Sequence, residues 1–110
     1  AVGRGAARDI LARLAELYTR HANVRGLAIE LAIRSFARND ARAAKSIAAV
    51  DRERLLHVTR LFGKLGWKPK AAKARAVLFY GFLFGQSLLD PAIATGALTD
   101  AAIDALLAKP

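Results

Sequence analysis

Asp51 and Arg54 are the residues whose type and spacing first invite a chemical reading. They stand three apart in a run whose apolar members, Ala44, Ile47, Val50, Leu55, Val58, Leu61, Phe62 and Leu65, share one side of a helix. At about 100° per residue, the carboxylate and the guanidinium fall inside that stripe rather than opposite it. Charges facing a core are retained when paired, so a buried ion pair of Asp51 and Arg54 is expected, fixing helix register. Either group could instead reach Glu30 or Arg34, which stand four apart further up the chain, or contact a charged ligand.

A second group is cationic. Lys64, Lys68, Lys70, Lys73 and Arg75 crowd the approach to a helix whose N-terminus adds partial positive charge of its own. An anion would be welcome there, and a solvated basic loop is the plainer reading. His21 and His57 are isolated, with no Asp or Glu at i+3 or i+4 of either, so no metal site is expected. The chain has no cysteine, which excludes a disulfide framework, a thiolate metal site and cysteine catalysis. With no glycine-rich phosphate loop and no Ser-His-acid set that the sequence places together, the chain reads as a non-enzyme that needs no cofactor.

These groups sit in 110 residues, one domain's worth, taken as a single unit over 1–110. The composition, 55% hydrophobic and 25% charged, is too apolar for disorder, and alanine is its commonest residue. Lys+Arg 18 against Asp+Glu 9 leaves a net charge of +9, which favours a polyanionic or acidic partner without specifying one. The opening AVGRGAARD has no apolar run and no targeting pattern, and a start at Ala1 fits a piece trimmed from something longer. The longest apolar stretch, Ala76 to Leu89, is about 14 residues against the roughly 20 needed to cross a bilayer. A cytoplasmic protein without membrane contact is expected.

Prolines occur only at 69, 91 and 110, and apolar residues recur at three and four, so the chain reads as an all-α antiparallel bundle of about five helices. The first, Ala6–His21, sets Ile10, Leu11, Leu14, Leu17 and Tyr18 against Asp9, Arg13, Glu16 and Arg20. The second, Val24–Arg38, is apolar over most of its circumference and should be central. Asp40 caps the third, Ala41–Leu65, which could bend near Ala49. Gly63 and Gly66 end it, and Pro69 opens a fourth running to Leu89. The last helix should begin at Thr99 as N-cap, with Leu98 and Ile103 as a hydrophobic staple.

The fourth helix differs in kind on its two sides. Ala74, Leu78, Gly81, Gly85 and Leu88 form one face, and Phe79, Tyr80, Leu83 and Ser87 the other, so both are expected to be buried. A glycine inside a helix costs up to about 1 kcal/mol relative to alanine, and two of them four apart make sense where another backbone comes close. That backbone is either a second copy of the chain or a neighbouring helix of the same one. The aromatics Tyr18, Phe36, Phe62, Trp67, Phe79, Tyr80, Phe82 and Phe84 should converge, as core or as the lining of an apolar cavity between helices.

From Gly26 to Gly85, the run GLAIELAIRSFARNDARAAKSIAAVDRERLLHVTRLFGKLGWKPKAAKARAVLFYGFLFG resembles the C-terminal regulatory domain of the tetracycline-repressor (TetR) family of transcriptional regulators. Ala32 to Ala37 followed by Asp40 match a helix reading A-I-R-x-W/F-A before an Asp. Val50, Asp51 and Arg54 match V-D-x-x-R. Gly66, then Ala72, Arg75, Ala76 and Tyr80, match a glycine followed by A-x-x-R-A-x-x-x-Y. The resemblance covers a little over half the chain and rests on the order of these elements.

It implies a homodimer in which the last two long helices of each subunit form a four-helix contact, with Leu78, Gly81, Gly85 and Leu88 at the two-fold axis. It also implies a pocket for a small, apolar effector between the first four helices, for which Phe36, Phe62, Trp67 and Phe79 are the candidate lining. The family's N-terminal helix-turn-helix, with its tyrosine and phenylalanine past the recognition helix, has no counterpart in these residues. DNA would then be met only through a domain outside them. The competing reading is a stand-alone basic helical protein that binds nucleic acid nonspecifically through Lys64 to Arg75, with steep salt dependence.

Overall fold

The computed structural model describes residues 3–19 and 24–110, which form five α-helices: α1 (Arg4–Thr19), α2 (Val24–Ala37), α3 (Ala41–Lys64), α4 (Pro69–Gln86) and α5 (Gly96–Leu106). There is no strand among the described residues, and the fold is an all-α bundle, as the three-and-four periodicity predicts. α3 and α4, joined by four residues, pack along each other as a helical hairpin. α1 lies against both and against α5, while α2 packs on α3.

Local chemistry sets most boundaries. Asp40 sits in extended backbone and its carboxylate accepts from the Ala43 amide at 2.9 Å, capping α3. At the far end Gly66 takes φ +111°; its amide donates to Gly63 O at 3.0 Å and the Trp67 amide donates to Phe62 O at 3.3 Å. That pair of bonds is a Schellman close, which needs a left-handed residue at the position Gly66 holds. Pro69 then opens α4 at a position where its missing N–H is no loss.

The core is built from Ala7 and Leu11 of α1, Val58 and Phe62 of α3, Phe79 and Leu83 of α4, with Leu65 and Leu107 closing it. Phe62 and Phe79 meet edge to face, centroids 6.0 Å apart. The C-terminus is tied down from the other side: Trp67 Nε1 donates to Ala108 O at 3.0 Å, and Arg75 Nη1 donates to Leu106 O at 2.9 Å. The Arg75 guanidinium lies 3.8 Å over the Trp67 ring, so one cation serves both the indole and the carbonyl end of α5.

Several expectations are corrected. α5 starts three residues before Thr99: Thr95 is the N-cap, its hydroxyl accepting from the Leu98 amide at 3.3 Å, and Thr99 is buried inside the helix. Leu98 is exposed while Ile103 is buried, so they form no staple. α4 ends at Gln86 rather than Leu89, where the Gln86 side-chain Nε2 donates to Leu83 O and the Ser87 hydroxyl to Phe84 O, taking carbonyls of the final turn. α2 is an outer helix and not the central one, because only Leu27 and Ala37 among its described side chains are buried. Leu17 and Val50, assigned to inward stripes, are exposed at the rims of α1 and α3.

Candidate functional site

Where α2 crosses α3, four charges meet. Arg34 donates Nη1 to Asp51 Oδ2 at 2.9 Å and Nη2 to Asp51 Oδ1 at 2.6 Å, and Nη2 also reaches Glu30 Oε1 at 3.2 Å. Arg54 donates to the same Glu30 oxygen. Asp51 and Arg54 therefore do not form a buried pair with each other: each takes the alternative that the sequence leaves open and pairs with a residue of α2, and both are half-buried. The cause is geometric, since the facing helix offers a guanidinium and a carboxylate in register with them. Hydrogen bonding from Arg34 holds the Asp51 carboxyl below the ordinary aspartate value. The Asp51 hydrogen bond likewise raises the pKa of Arg34. Two cations and two carboxylates sum to zero, and each carboxylate is already held by a guanidinium, so the cluster is a clasp between helices rather than a set of free acids and bases.

An aromatic row continues from it. Arg34 Cζ lies 4.7 Å from the Phe84 centroid, Phe84 is edge-on to Tyr18 at 5.6 Å, and Tyr18 is edge-on to Tyr80 at 6.3 Å. Burial pushes both tyrosine hydroxyls above their ordinary pKa. Gln86 also donates to Tyr18 O at 2.9 Å, tying the end of α4 to that of α1.

Phe36, Phe62, Trp67 and Phe79 do not line one cavity. Phe62 and Phe79 are core at 0% and 1% exposure, Trp67 is engaged with Arg75 and the C-terminus, and Phe36 stands out from α2 at 62% exposure. A concave region lies elsewhere, in a cleft of about 600 Å³ at the ends of α1 and α4 and the starts of α2 and α5. Tyr18, Leu27 and Leu31 supply apolar wall, and Gln86, Thr95 and Thr99 supply polar groups. Sequence reasoning missed it because the linker between α4 and α5 builds one side and carries no periodicity. His57 lies on the exposed side of α3, and His21 falls outside the described residues.

The outward face of α4 is the clearest surface feature. Ala74, Val77, Leu78, Gly81 and Gly85 recur at helical spacing over about 16 Å of axis, Leu88 follows in the turn beyond Gln86, and beyond Arg75 the helix has no charged residue. Leu78 is 59% and Leu88 73% exposed, so this face is not buried within the chain, contrary to the expectation that both faces are. A Cβ built on Gly81 or Gly85 would meet nothing within 4 Å. Among the described residues, no neighbouring helix therefore calls for glycine at either place. α5, packed against α4, adds exposed Leu98, Ala101 and Ala105.

At the basic junction Lys64, Lys68, Lys70 and Lys73 are exposed, whereas Arg75 is withdrawn to Trp67 and the end of α5. Among the described residues no helix is long and apolar enough to cross a membrane. Comparison with protein-family models, with curated proteins and with solved structures finds no match in any of the three.

Proposed function

We propose that this chain is the dimerising, effector-binding half of a cytoplasmic transcriptional regulator similar to the TetR family, with DNA read by a domain outside these 110 residues. The observation that carries the reading is the outward face of α4. Among the described residues a side chain added at Gly81, within the helix, or at Gly85, in its last turn, would meet nothing within 4 Å, and the apolar residues flanking them are left in water. Glycine in a helix costs about 1 kcal/mol against alanine, and exposed leucines in a row are a liability to a monomer. A second copy related by a two-fold axis answers both, because the same stripe faces itself and the glycines let the two backbones approach. α5 beside α4 widens the contact to two helices from each subunit.

The effector would occupy the cleft at the helix ends, whose volume suits a small organic molecule. Its walls ask for a largely apolar ligand with a polar group directed at Thr95 or Thr99. Because the cleft is bounded by α4 and by the linker that leads into α5, a bound ligand would bias the placement of the two interface helices, and through them the separation of two DNA readers.

Light scattering on the purified chain at moderate salt tests the dimer. A mass about twice 11.8 kDa, reduced to 11.8 kDa when Gly81 and Gly85 are replaced by leucine, supports the reading. A wild-type monomer overturns it.

A further inference from the structure

The solvent face of α3 carries an ordered row of cations that neither the dimer nor the effector cleft uses. At about 100° per residue, Arg42, Lys45, Arg52, Arg60 and Lys64 fall within one third of the helix circumference, opposite the buried Val58, Leu61 and Phe62. All five are exposed, and among the described residues none is paired with a carboxylate. Glu53 is the one acidic side chain in the row. The arginines that the fold needs for packing, Arg34, Arg54 and Arg75, point elsewhere and are already engaged, so this row is one aligned part of the excess positive charge that is free to meet a partner.

We propose that this face of α3 binds the sugar-phosphate backbone of a nucleic-acid duplex without reading its sequence. From Arg42 to Lys64 the row runs about 33 Å along the helix, close to the roughly 34 Å of one duplex turn, so a rod of cations lying along the duplex can reach backbone phosphates one turn apart at its two ends and those of the crossing strand between them. Arginine predominates, and its planar fork suits phosphate oxygens. An anionic membrane surface would call for bulky apolar side chains beside the cations, and Leu56 alone is placed to serve. The surface shares only Lys64 with the junction Lys64 to Arg75 singled out by the sequence, where Arg75 is not free to contact a ligand. In a protein whose sequence-specific reader lies elsewhere, such a face would hold the regulator near DNA and add affinity evenly over all sites.

The test is fluorescence anisotropy of the full chain with a labelled mixed-sequence DNA duplex of about two turns, titrated from roughly 50 to 200 mM salt. Five phosphate contacts give a log–log salt slope of about −4 to −5 for each chain engaged. Replacing Arg52 and Arg60 by alanine should reduce that slope by about 2, and replacing both by glutamate should abolish binding at the lower salt. Replacing Lys68 and Lys70 by alanine removes the same formal charge and should change the slope by less than about 1. Equal effects of the two alanine pairs, or no binding near 50 mM salt, would overturn the assignment to α3. Tighter binding to vesicles rich in anionic phospholipid than to the duplex would overturn the partner. Helical circular dichroism of each variant at wild-type strength shows that the fold is intact, as expected for exposed positions.

Discussion

Arg34 on α2 holds both carboxylate oxygens of Asp51 on α3, at 2.9 and 2.6 Å, across a separation of 17 residues in the chain. α2 packs on α3 and leaves most of its own apolar surface in water, so this two-point grip, with Glu30 between Arg34 and Arg54, sets where the outer helix sits. A bidentate guanidinium–carboxylate pair has one good geometry, which makes it a register device more than a source of stability.

Substituting Asp51→Asn should therefore cost about 1 to 2 kcal/mol at neutral pH, read by urea unfolding. The acid limb gives a sharper signature. The folded-state pKa of Asp51 is depressed, so its contribution is fully present above the ordinary aspartate value of 3.8 and is lost as pH falls from there through the folded-state value. Wild type should lose more stability than the variant over that window, and the two curves should converge at its acid end. Parallel curves would mean that Asp51 is not held by Arg34 in solution.

The residue types of this clasp are legible in sequence, because the helical angle alone places Asp51 and Arg54 in an apolar stripe. Glu30 and Arg34 are legible as alternative partners, but the choice between them and a pair within α3 is not, since the register of α2 against α3 is a property of packing between helices and leaves no local pattern. The same distinction explains α2 and α4. An apolar circumference says that a helix will be covered and does not say by what, and here Ile29, Ile33 and Phe36 on one helix and Val77 and Leu78 on the other are left uncovered by their own chain. At α5, Thr99 before Asp100 reads as a helix start, whereas the working cap, Thr95, precedes Gly96, a poor helix former that gives no signal. The cleft depends on helix ends and a linker, which periodicity does not describe.

The aromatic set divides by burial. Phe62→Ala empties the centre of the core beside Phe79 and should destabilise the protein by about 3 to 5 kcal/mol. Phe36→Ala, at an exposed position, should change unfolding stability by no more than about 0.5 kcal/mol. Paired denaturation curves check this, and a large loss at Phe36 would show that α2 is covered in solution.

Gly66 tests the close of α3. Its φ is +111°, and a β-carbon there would lie only 3.3 Å from Arg4 Nη2, so alanine is strained at this position. Gly66→Ala should lower stability by about 1 kcal/mol or more, while Gly63→Ala, in helical backbone with open space around it, should leave it unchanged or slightly higher. Thermal unfolding of the two variants, side by side, separates the roles that the sequence assigns jointly to these glycines as the end of the helix.

Gly81 and Gly85 give the opposite pattern, because there the backbone is helical and the space around each is open within the chain. In a monomer, alanine at both positions should raise stability by about 1 kcal/mol, most of it from Gly81, since glycine is the poorer helix former in a helix interior and Gly85 is next to the helix end. In a dimer whose backbones meet at these glycines, the added methyl groups push the two helices apart, and the gain in helix stability is set against a loss of association. The two effects separate with protein concentration. The Tm of the wild type should rise as the chain is concentrated, because association stabilises the folded state by mass action, and the Tm of the double alanine variant should rise less steeply. Its value at high dilution should lie above that of the wild type. A concentration-independent Tm for both proteins, with the variant uniformly higher, would mean that the α4 stripe does not self-associate.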